Sequence, residues 1–181
     1  MQRPIGRWLI IGVVASCLFG VSNGRARAGS NALNEVKPSE DNLAIVVNTS
    51  NPVDNLSVSE LRKVFLGERR HWPNGRRITL VMMEPGQPER KTLIREVCQM
   101  NESDFSQHFL HGVFTGEVFV SPKTLASPVG VRKFVFNVPG AIGYVRATDV
   151  DSTVKVLRVD GRLPDDKEYG LRIPPAPAQS Q

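Results

Sequence analysis

Two short polar loops carry the side chains of this sequence that are best suited to hold an anion. Each loop follows an apolar run, and the candidate ligands are Thr49, Ser50, Asn51, Gly86, Gln87 and Arg90. Hydroxyl and amide groups, backbone N–H groups at a helix start and an arginine are the donors that an oxyanion requires. A capped helix beside a polar turn contains the same residue types, so the sequence leaves both interpretations open.

A second group of distinctive residues lies between Glu68 and Arg77, where four arginines surround a tryptophan. The candidate contact residues of this segment are Arg69, Arg70 and Trp72. Clustered positive charge beside an interfacial tryptophan is typical of a surface that contacts anionic head groups or an acidic protein. A solvated turn between two elements is the alternative interpretation.

The sequence contains no motif typical of a catalytic site. Gly-x-Ser-x-Gly, His-Glu-x-x-His and P-loop motifs are absent, as are cysteine pairs with metal-site spacing. His108 and His111 lie three positions apart, but two histidines match a metal site only weakly, and surface histidines are the better interpretation. Cys98 follows apolar residues at helical spacing and is predicted to be a buried thiol. We therefore predict a non-enzyme that needs no cofactor and no metal.

The segment 43–75 predicts the elements that position the first loop. Residues 43–47 form an apolar run rich in β-branched side chains, which is typical of a buried strand. Ser57 and Glu60 have the spacing of a capping box, so a helix is predicted to begin after Ser57. Its apolar residues recur at helical spacing, and Gly67 is expected to end it.

Strand and helix patterns then alternate along the chain. An apolar strand at 78–83 ends in a proline-glycine turn, and Pro88 suits the first position of the next helix. The remaining predictions are a helix at 88–100, a helix from Asp104 with Phe105, Phe109 and Val113 inward, a helix from Ser127 to about Asn137, and strands at 141–146 and 154–159. This alternation predicts an α/β protein with a mostly parallel sheet flanked by helices.

The N-terminus is typical of an export signal. Two arginines precede an apolar run at 8–21, and Ala26-Arg27-Ala28 provides a small-x-small cleavage pattern. Cleavage after Ala28 is favoured, which predicts a periplasmic or secreted protein without a transmembrane span, because the apolar run is short for one. Residues 14–17 also match a lipobox, which would instead make Cys17 the acylated first residue of a lipoprotein.

Charge and length limit the remaining classes of function. Four of the 23 Lys and Arg residues lie in the first 28 positions, so the rest of the chain nearly balances its 18 acidic residues. A nucleic-acid-binding role therefore loses its main support. The residues left after cleavage suffice for one domain. The predicted segments are a signal peptide at 1–28, a flexible lead-in at 29–42, a single domain at 43–163 and a disordered proline-rich tail at 164–181.

Several short motifs resemble one family in their order along the chain. They are Val46-Val47-Asn48, Ser50-Asn51-Pro52-Val53, Leu56-Ser57, Phe114-Thr115-Gly116 and the sequence PGAIGYV at 139–145. Together they make the segment 43–161 similar to the periplasmic phosphate-binding proteins of ABC uptake systems, and most similar to the short, single-lobe relatives. The resemblance implies the fold of one lobe of a type II periplasmic binding protein.

The resemblance also implies a function. The family's second lobe offers an arginine and a Ser-Gly-Thr at a helix start to phosphate. Aligned on Gly86, those positions become Met83, Gln87, Pro88 and Glu89 in this sequence. The usual phosphate ligands are thus largely replaced. The expected function is an exported, non-catalytic module that binds phosphate or another oxyanion, with a site rebuilt from the two polar loops.

Two alternatives follow from the same sequence. The chain could be an envelope protein-interaction or sensing domain that keeps the fold without binding phosphate. It could also complete a cleft by self-association with a second chain. Stabilisation by one anion would favour the binding module over an interaction domain.

Overall fold

The computed structural model describes residues 41–116 and 121–174. The strands are β1 (Leu43–Asn48), β2 (Asn55–Leu56), β3 (Thr79–Met83), β4 (Lys123–Leu125), β5 (Ala141–Arg146), β6 (Val154–Val156) and β7 (Arg158–Val159). The α-helices are α1 (Val58–Phe65), α2 (Pro88–Thr92), α3 (Glu102–Thr115) and α4 (Pro128–Asn137). A π-helical segment, Leu93–Cys98, continues α2, and a short 3-10 helix, Ala147–Asp149, follows β5.

The central sheet has five strands in the order β4-β3-β5-β1-β6. β3 runs parallel to both β4 and β5, whereas β1 runs antiparallel to its neighbours β5 and β6. Four strands therefore point the same way, and the predicted mostly parallel α/β sheet flanked by helices is confirmed. β1 is the one antiparallel strand among the described strands of this sheet. β5 lies between β1 and β3, so the first two long strands of the chain are not partners.

Helices cover both faces of this sheet. Gly143 and Tyr144 are consecutive in β5, so they face opposite sides of the sheet. A β-carbon at Gly143 would lie 2.9 Å from Val131 of α4, which places α4 on one face. The Tyr144 ring lies 6.2 Å from the Phe65 ring of α1, which places α1 on the other. All six residues of β1 are buried, so this strand forms the centre of the core.

The predicted helix starts are confirmed by their capping contacts. The Ser57 hydroxyl accepts a hydrogen bond from the Glu60 N–H at 3.2 Å, and the Ser57 N–H donates to the Glu60 carboxylate at 2.9 Å. Ser127 caps α4 in a similar way, because its hydroxyl accepts from the N–H of Gly130. Both helices thus begin where the sequence places them.

The inward face predicted for α3 is partly wrong. Phe105 and Phe109 are buried as predicted, but Val113 is 44% exposed and Gly112 is buried in its place. Two steps of four residues rotate about 80° around a helix, whereas a step of four and a step of three return to within about 20° of the start. The buried line of α3 follows the second spacing.

The prediction of a disordered tail from residue 164 is wrong for residues 164–174. Tyr169, Leu171 and Ile173 are buried against the core. The Leu43 N–H donates to the Leu171 carbonyl at 2.9 Å, and the Tyr169 hydroxyl donates to the Leu43 carbonyl at 2.8 Å. These three residues alternate with exposed ones, which is a strand-like pattern that the nearby prolines disguise.

Several predictions lie outside the described residues. They are the signal peptide at 1–28, the lipobox at Cys17, all but the last residues of the lead-in at 29–42, and the tail at 175–181. Within the described ranges, no helix combines the length and apolar character needed to cross a membrane.

Candidate functional site

The first predicted loop, Thr49, Ser50 and Asn51, follows β1 and is held by its own hydrogen bonds. Asn48 is buried, and its amide donates to the carbonyl of Val135 at 2.9 Å. Its side-chain oxygen accepts from the N–H of Ser50 at 2.9 Å and from the Ser50 hydroxyl at 2.7 Å. Asn51 is buried too, and its side-chain oxygen accepts from Val53 N–H. These groups stabilise a turn, which is the structural interpretation that the sequence left open.

The second predicted loop contains Gly86, Gln87 and Arg90, and its arginine is engaged internally. Arg90 is only 7% exposed. Its guanidinium donates to both carboxylate oxygens of Glu102 at 2.7 to 3.0 Å and to the Met83 carbonyl at 2.8 Å. The same group lies 5.6 Å from the centre of the Phe105 ring. Arg90 therefore holds α3 against α2 and does not project as an anion ligand.

Glu89 reinforces this arrangement at the first turn of α2. It is 5% exposed, and Arg146 of β5 donates to its carboxylate. A buried carboxylate at a helix N-terminus already occupies the favourable end of the helix dipole. An oxyanion at this position would meet that negative charge.

The two predicted loops do not come together in the structure. Leu80 of β3 and Val47 of β1 both lie opposite Ile142 of β5, so the start of β3 and the end of β1 share one end of the sheet. Met83 and the loop after it lie at the other end. The composite site predicted from residues 48–51 and 86–90 therefore does not form, because β1 runs against the direction of β3.

A cavity of about 460 Å³ lies at the end of the sheet where β3 begins. We call it the basic cavity. It is lined by Val64, Gly67, Arg69, Arg70, Arg77, Ile78, Thr79, Leu80, Ser121, Pro122, Lys123, Thr124 and Phe134. Among these described residues four are cationic, three carry hydroxyl groups and none is acidic.

The short strand β4 explains why the cavity is there. β4 begins at Lys123 opposite Val81, so among the described residues Thr79 and Leu80 have no strand neighbour on that side. The Thr79 N–H donates to the Gly140 carbonyl on the opposite side at 3.0 Å. Since N–H groups alternate in direction along a strand, the Leu80 N–H points toward the β4 side. A backbone donor thus accompanies the charged side chains there.

The charges of the basic cavity are balanced to different extents. Arg69 lies 3.7 Å from the Glu60 carboxylate, an exposed and weak pair. For Arg77 and Lys123 the described residues provide no side-chain ion pair or hydrogen bond. These two cations therefore give the cavity its excess of positive charge.

Trp72 does not belong to an exposed partner surface, which corrects the prediction made with Arg69 and Arg70. It is 2% exposed, and its indole N–H donates to the Gly140 carbonyl at 3.0 Å. Arg69 and Arg70 instead line the basic cavity. The tryptophan is an apolar anchor that packs the hairpin at residues 71–77, in which His71 pairs with Arg77, against the core.

Gly140 fixes the position of Arg77. A β-carbon at residue 140 would lie 2.1 Å from the carbonyl oxygen of Arg77, so only glycine fits there. The PGAIGYV motif, on which the family resemblance partly rests, thus positions the hairpin and the first residues of β3. No local sequence pattern predicts that Lys123, Thr79 and Thr124 lie beside the arginines, because this grouping depends on strand order.

His108 and Cys98 make structural contacts within the described residues. The Nε2 atom of His108 lies 2.9 Å from the carbonyl oxygen of Leu66. Within the described ranges, no three His, Cys, Asp or Glu residues cluster as metal ligands would. Burial raises the pKa of the Cys98 thiol to about 12, so this group is a packed and unreactive side chain.

A five-stranded, mostly parallel sheet with helices on both faces defines one lobe of a periplasmic-binding-protein fold. Solved structures agree with this class. An ABC-type phosphate transport receptor from Vibrio cholerae aligns with 68% of this chain and 48% of its own, at a TM-score of 0.53 and 23% identity. A putative phosphate ABC transporter substrate-binding protein with bound phosphate from Clostridium perfringens aligns with 67% of this chain and 46% of its own. Its TM-score is 0.55 and its sequence identity is 21%.

Sequence comparison finds the same kind of protein. The phosphate-binding protein PstS of Bacillus subtilis (strain 168) is 28% identical over 130 residues, which are 69% of this chain and 38% of that protein. No family model matches the chain. The resemblance to phosphate-binding proteins of ABC transporters is confirmed, and the chain spans less than half of the length of each of these three proteins.

Proposed function

We propose that this chain is an exported, non-catalytic module that binds a phosphate-like oxyanion in the basic cavity. The similarity to phosphate-binding proteins supports the class of ligand, and the export signal predicted from the sequence supports the compartment. The position differs from the helix start that the family resemblance implies, because that position already contains paired charges of its own.

One observation carries the proposal. Arg77 and Lys123 line one cavity together with Thr79 and Thr124, and none of the described residues that line it carries a carboxylate. Charge-assisted hydrogen bonds from such groups are the strongest that a protein offers to an oxyanion. A concave site with charges of one sign also raises the local concentration of counter-ions. This arrangement therefore favours the binding of an anion.

The loop at 84–90 is the less suitable place for an anion. Arg90 already holds Glu102, and Glu89 already holds Arg146. An incoming phosphate would have to break the first pair and remain beside the buried Glu89 carboxylate. The desolvated charges that this would leave without partners cost several kcal/mol.

The direct test is calorimetric titration of the mature protein with phosphate and sulfate at low ionic strength. The variants Arg77→Gln and Lys123→Gln each remove one cation from the cavity. Arg95→Gln is the matched control, because it removes an exposed arginine that pairs with Glu96 on the π-helical segment. We expect each cavity variant to weaken binding about tenfold or more, and the control to leave it unchanged.

Two results would contradict the proposal. The first is the absence of binding at millimolar phosphate and sulfate. The second is an equal affinity in the wild type, the Arg77→Gln variant and the Lys123→Gln variant, which would locate the anion elsewhere on the chain.

An interaction domain is the second candidate function, and the exposed face of α3 favours it. Leu110, Val113 and Phe114 are 62%, 44% and 83% exposed, and they lie close together on one side of the helix. A group of large apolar side chains in solvent is typical of a surface that a second protein covers. Sedimentation velocity over a wide concentration range would detect self-association through this face, which Phe114→Ser should abolish. A monomer at every concentration would exclude that form of the second candidate.

A further inference from the structure

We infer that the ligand of the basic cavity is an amphipathic anion, a phosphate or similar oxyanion carried on an apolar group. The inference rests on the proposed function, since it names the class of ligand for the same site. It follows from the size of the cavity and from the nature of its walls.

The cavity is too large for an inorganic oxyanion alone. Its volume of about 460 Å³ falls within the range of roughly 300 to 1,000 Å³ that is usual for sites of organic ligands. A tetrahedral oxyanion bound to Arg77 and Lys123 would fill a small part of this space. The rest of the cavity is large enough for a group of several carbon atoms.

The remaining walls are apolar. They consist of Val64, Ile78, Leu80, Pro122 and Phe134. Ile78, Leu80 and Phe134 are only partly buried, although each packs against the core with its other side. A bare oxyanion would leave these side chains in contact with water, whereas an apolar group would cover them.

The charged and apolar parts together define the ligand. An uncharged apolar molecule would bring no counter-charge to Arg77 and Lys123, and a small inorganic anion would leave the apolar walls hydrated. Only a molecule with both parts satisfies both halves of the lining. Soluble organic phosphates and phospholipid head groups with their first methylene groups share this chemistry.

The test is a series of phosphate monoesters of increasing apolar size. Inorganic phosphate, methyl phosphate and phenyl phosphate are titrated into the mature protein by calorimetry, with phenol as the uncharged comparison. We expect phenyl phosphate to bind at least about tenfold more tightly than methyl phosphate, because removal of roughly 60 Å² of apolar surface from water suffices for that factor. Phenol should not bind measurably.

Variants identify the wall that is responsible. Phe134→Ala should reduce the ratio between the phenyl and methyl phosphate affinities toward one, and Arg77→Gln should weaken both esters together. The ester series in the wild-type protein stands alone if Phe134→Ala does not fold. Co-sedimentation with phosphatidylglycerol vesicles, against phosphatidylcholine vesicles, distinguishes a lipid source of the ester from a soluble one, and either source agrees with the inference.

The outcomes separate the inference from the proposed function. Equal affinities for inorganic, methyl and phenyl phosphate would overturn the amphipathic ligand and leave the oxyanion site intact. Failure of every ester and of inorganic phosphate to bind would overturn both.

Discussion

At the scale of single residues, the guanidinium of Arg90 illustrates how a candidate ligand can serve structure instead. Its side chain is 8% exposed, and Glu102, Met83 and the Phe105 ring surround it. The charge is satisfied by one bidentate carboxylate, which is the geometry in which arginine pairs most strongly. This contact joins α2 to α3.

Substitution of Glu102 tests this structural role. Glu102→Gln leaves a nearly buried cation without its carboxylate, and we expect the free energy of unfolding to fall by about 2 kcal/mol, less than for a fully buried pair because Glu102 is 36% exposed. Urea unfolding measures the change. The double variant Arg90→Met with Glu102→Gln should recover part of the loss, since it removes the unpaired charge. A double variant less stable than the single one would contradict this account.

At the scale of the elements, the capping box of α1 links stability to pH. Hydrogen bonds from the Ser57 N–H and hydroxyl hold the pKa of the Glu60 carboxyl below its ordinary value of 4.5. A carboxyl whose pKa is lower in the folded state stabilises that state above its unfolded pKa. This contribution is lost as the pH falls below about 4.5 through the folded value.

The variant Ser57→Ala removes the hydroxyl cap and the hydroxyl's part of the pKa shift, whereas the backbone N–H at position 57, the larger cause, still donates to Glu60. We expect a loss of about 1 kcal/mol in the free energy of unfolding at pH 7. The difference from wild type should shrink as the pH falls below 4.5, where Glu60 becomes protonated in both proteins. Thermal unfolding between pH 3 and 7 provides the measurement. A difference that is constant across this range would contradict the linkage to Glu60.

Gly140 gives a second test at this scale, because it supports both the fold and the basic cavity. Gly140→Ala would force a β-carbon to within 2.1 Å of the Arg77 carbonyl, so we expect a loss on the order of 3 kcal/mol. Gly170→Ala is the matched control, since nothing lies within 4 Å of its added carbon. Chemical unfolding of the two variants should separate them clearly. Equal stability would show that the hairpin can move away.

The elements were largely predictable from the sequence, and their arrangement around the site was not. Local signals such as the Ser57 cap, Pro88 and the apolar run of β1 depend on neighbouring residues only. Lys123 and Arg77 line the same cavity because of the strand order and the shortness of β4, which no local sequence pattern encodes. The antiparallel course of β1 likewise separated the two predicted loops.

At the scale of the whole molecule, the chain closes on itself through residues 164–174. Leu43 of β1 exchanges contacts with Tyr169 and Leu171, so the last described residues complete the packing around the first strand. The composition of this segment wrongly predicts disorder, because buried residues alternate with exposed ones between its prolines. The domain therefore includes residues beyond 163.

The variant Leu171→Ala measures the contribution of this closing segment. Leu171 is 2% exposed, and we expect a loss of about 2 to 4 kcal/mol from the lost burial and the cavity left behind. Lys167→Ala, at an exposed position of the same segment, should change stability by no more than about 0.5 kcal/mol. Urea unfolding of both variants tests the claim. A negligible effect of Leu171→Ala would mean that residues 164–174 do not stabilise the domain.

The location of the bound anion is the measurement that tests the central claim most directly. In a two-dimensional NMR titration of the ¹⁵N-labelled mature protein with phosphate, we expect the largest shifts at the amides of Thr79, Leu80 and Lys123 around the basic cavity. The amides of Gly86 and Gln87, at the other end of the sheet, should hardly change. Shifts concentrated at Gly86 and Gln87 would show that the anion binds at the start of α2, and would contradict the assignment of the basic cavity as the binding site.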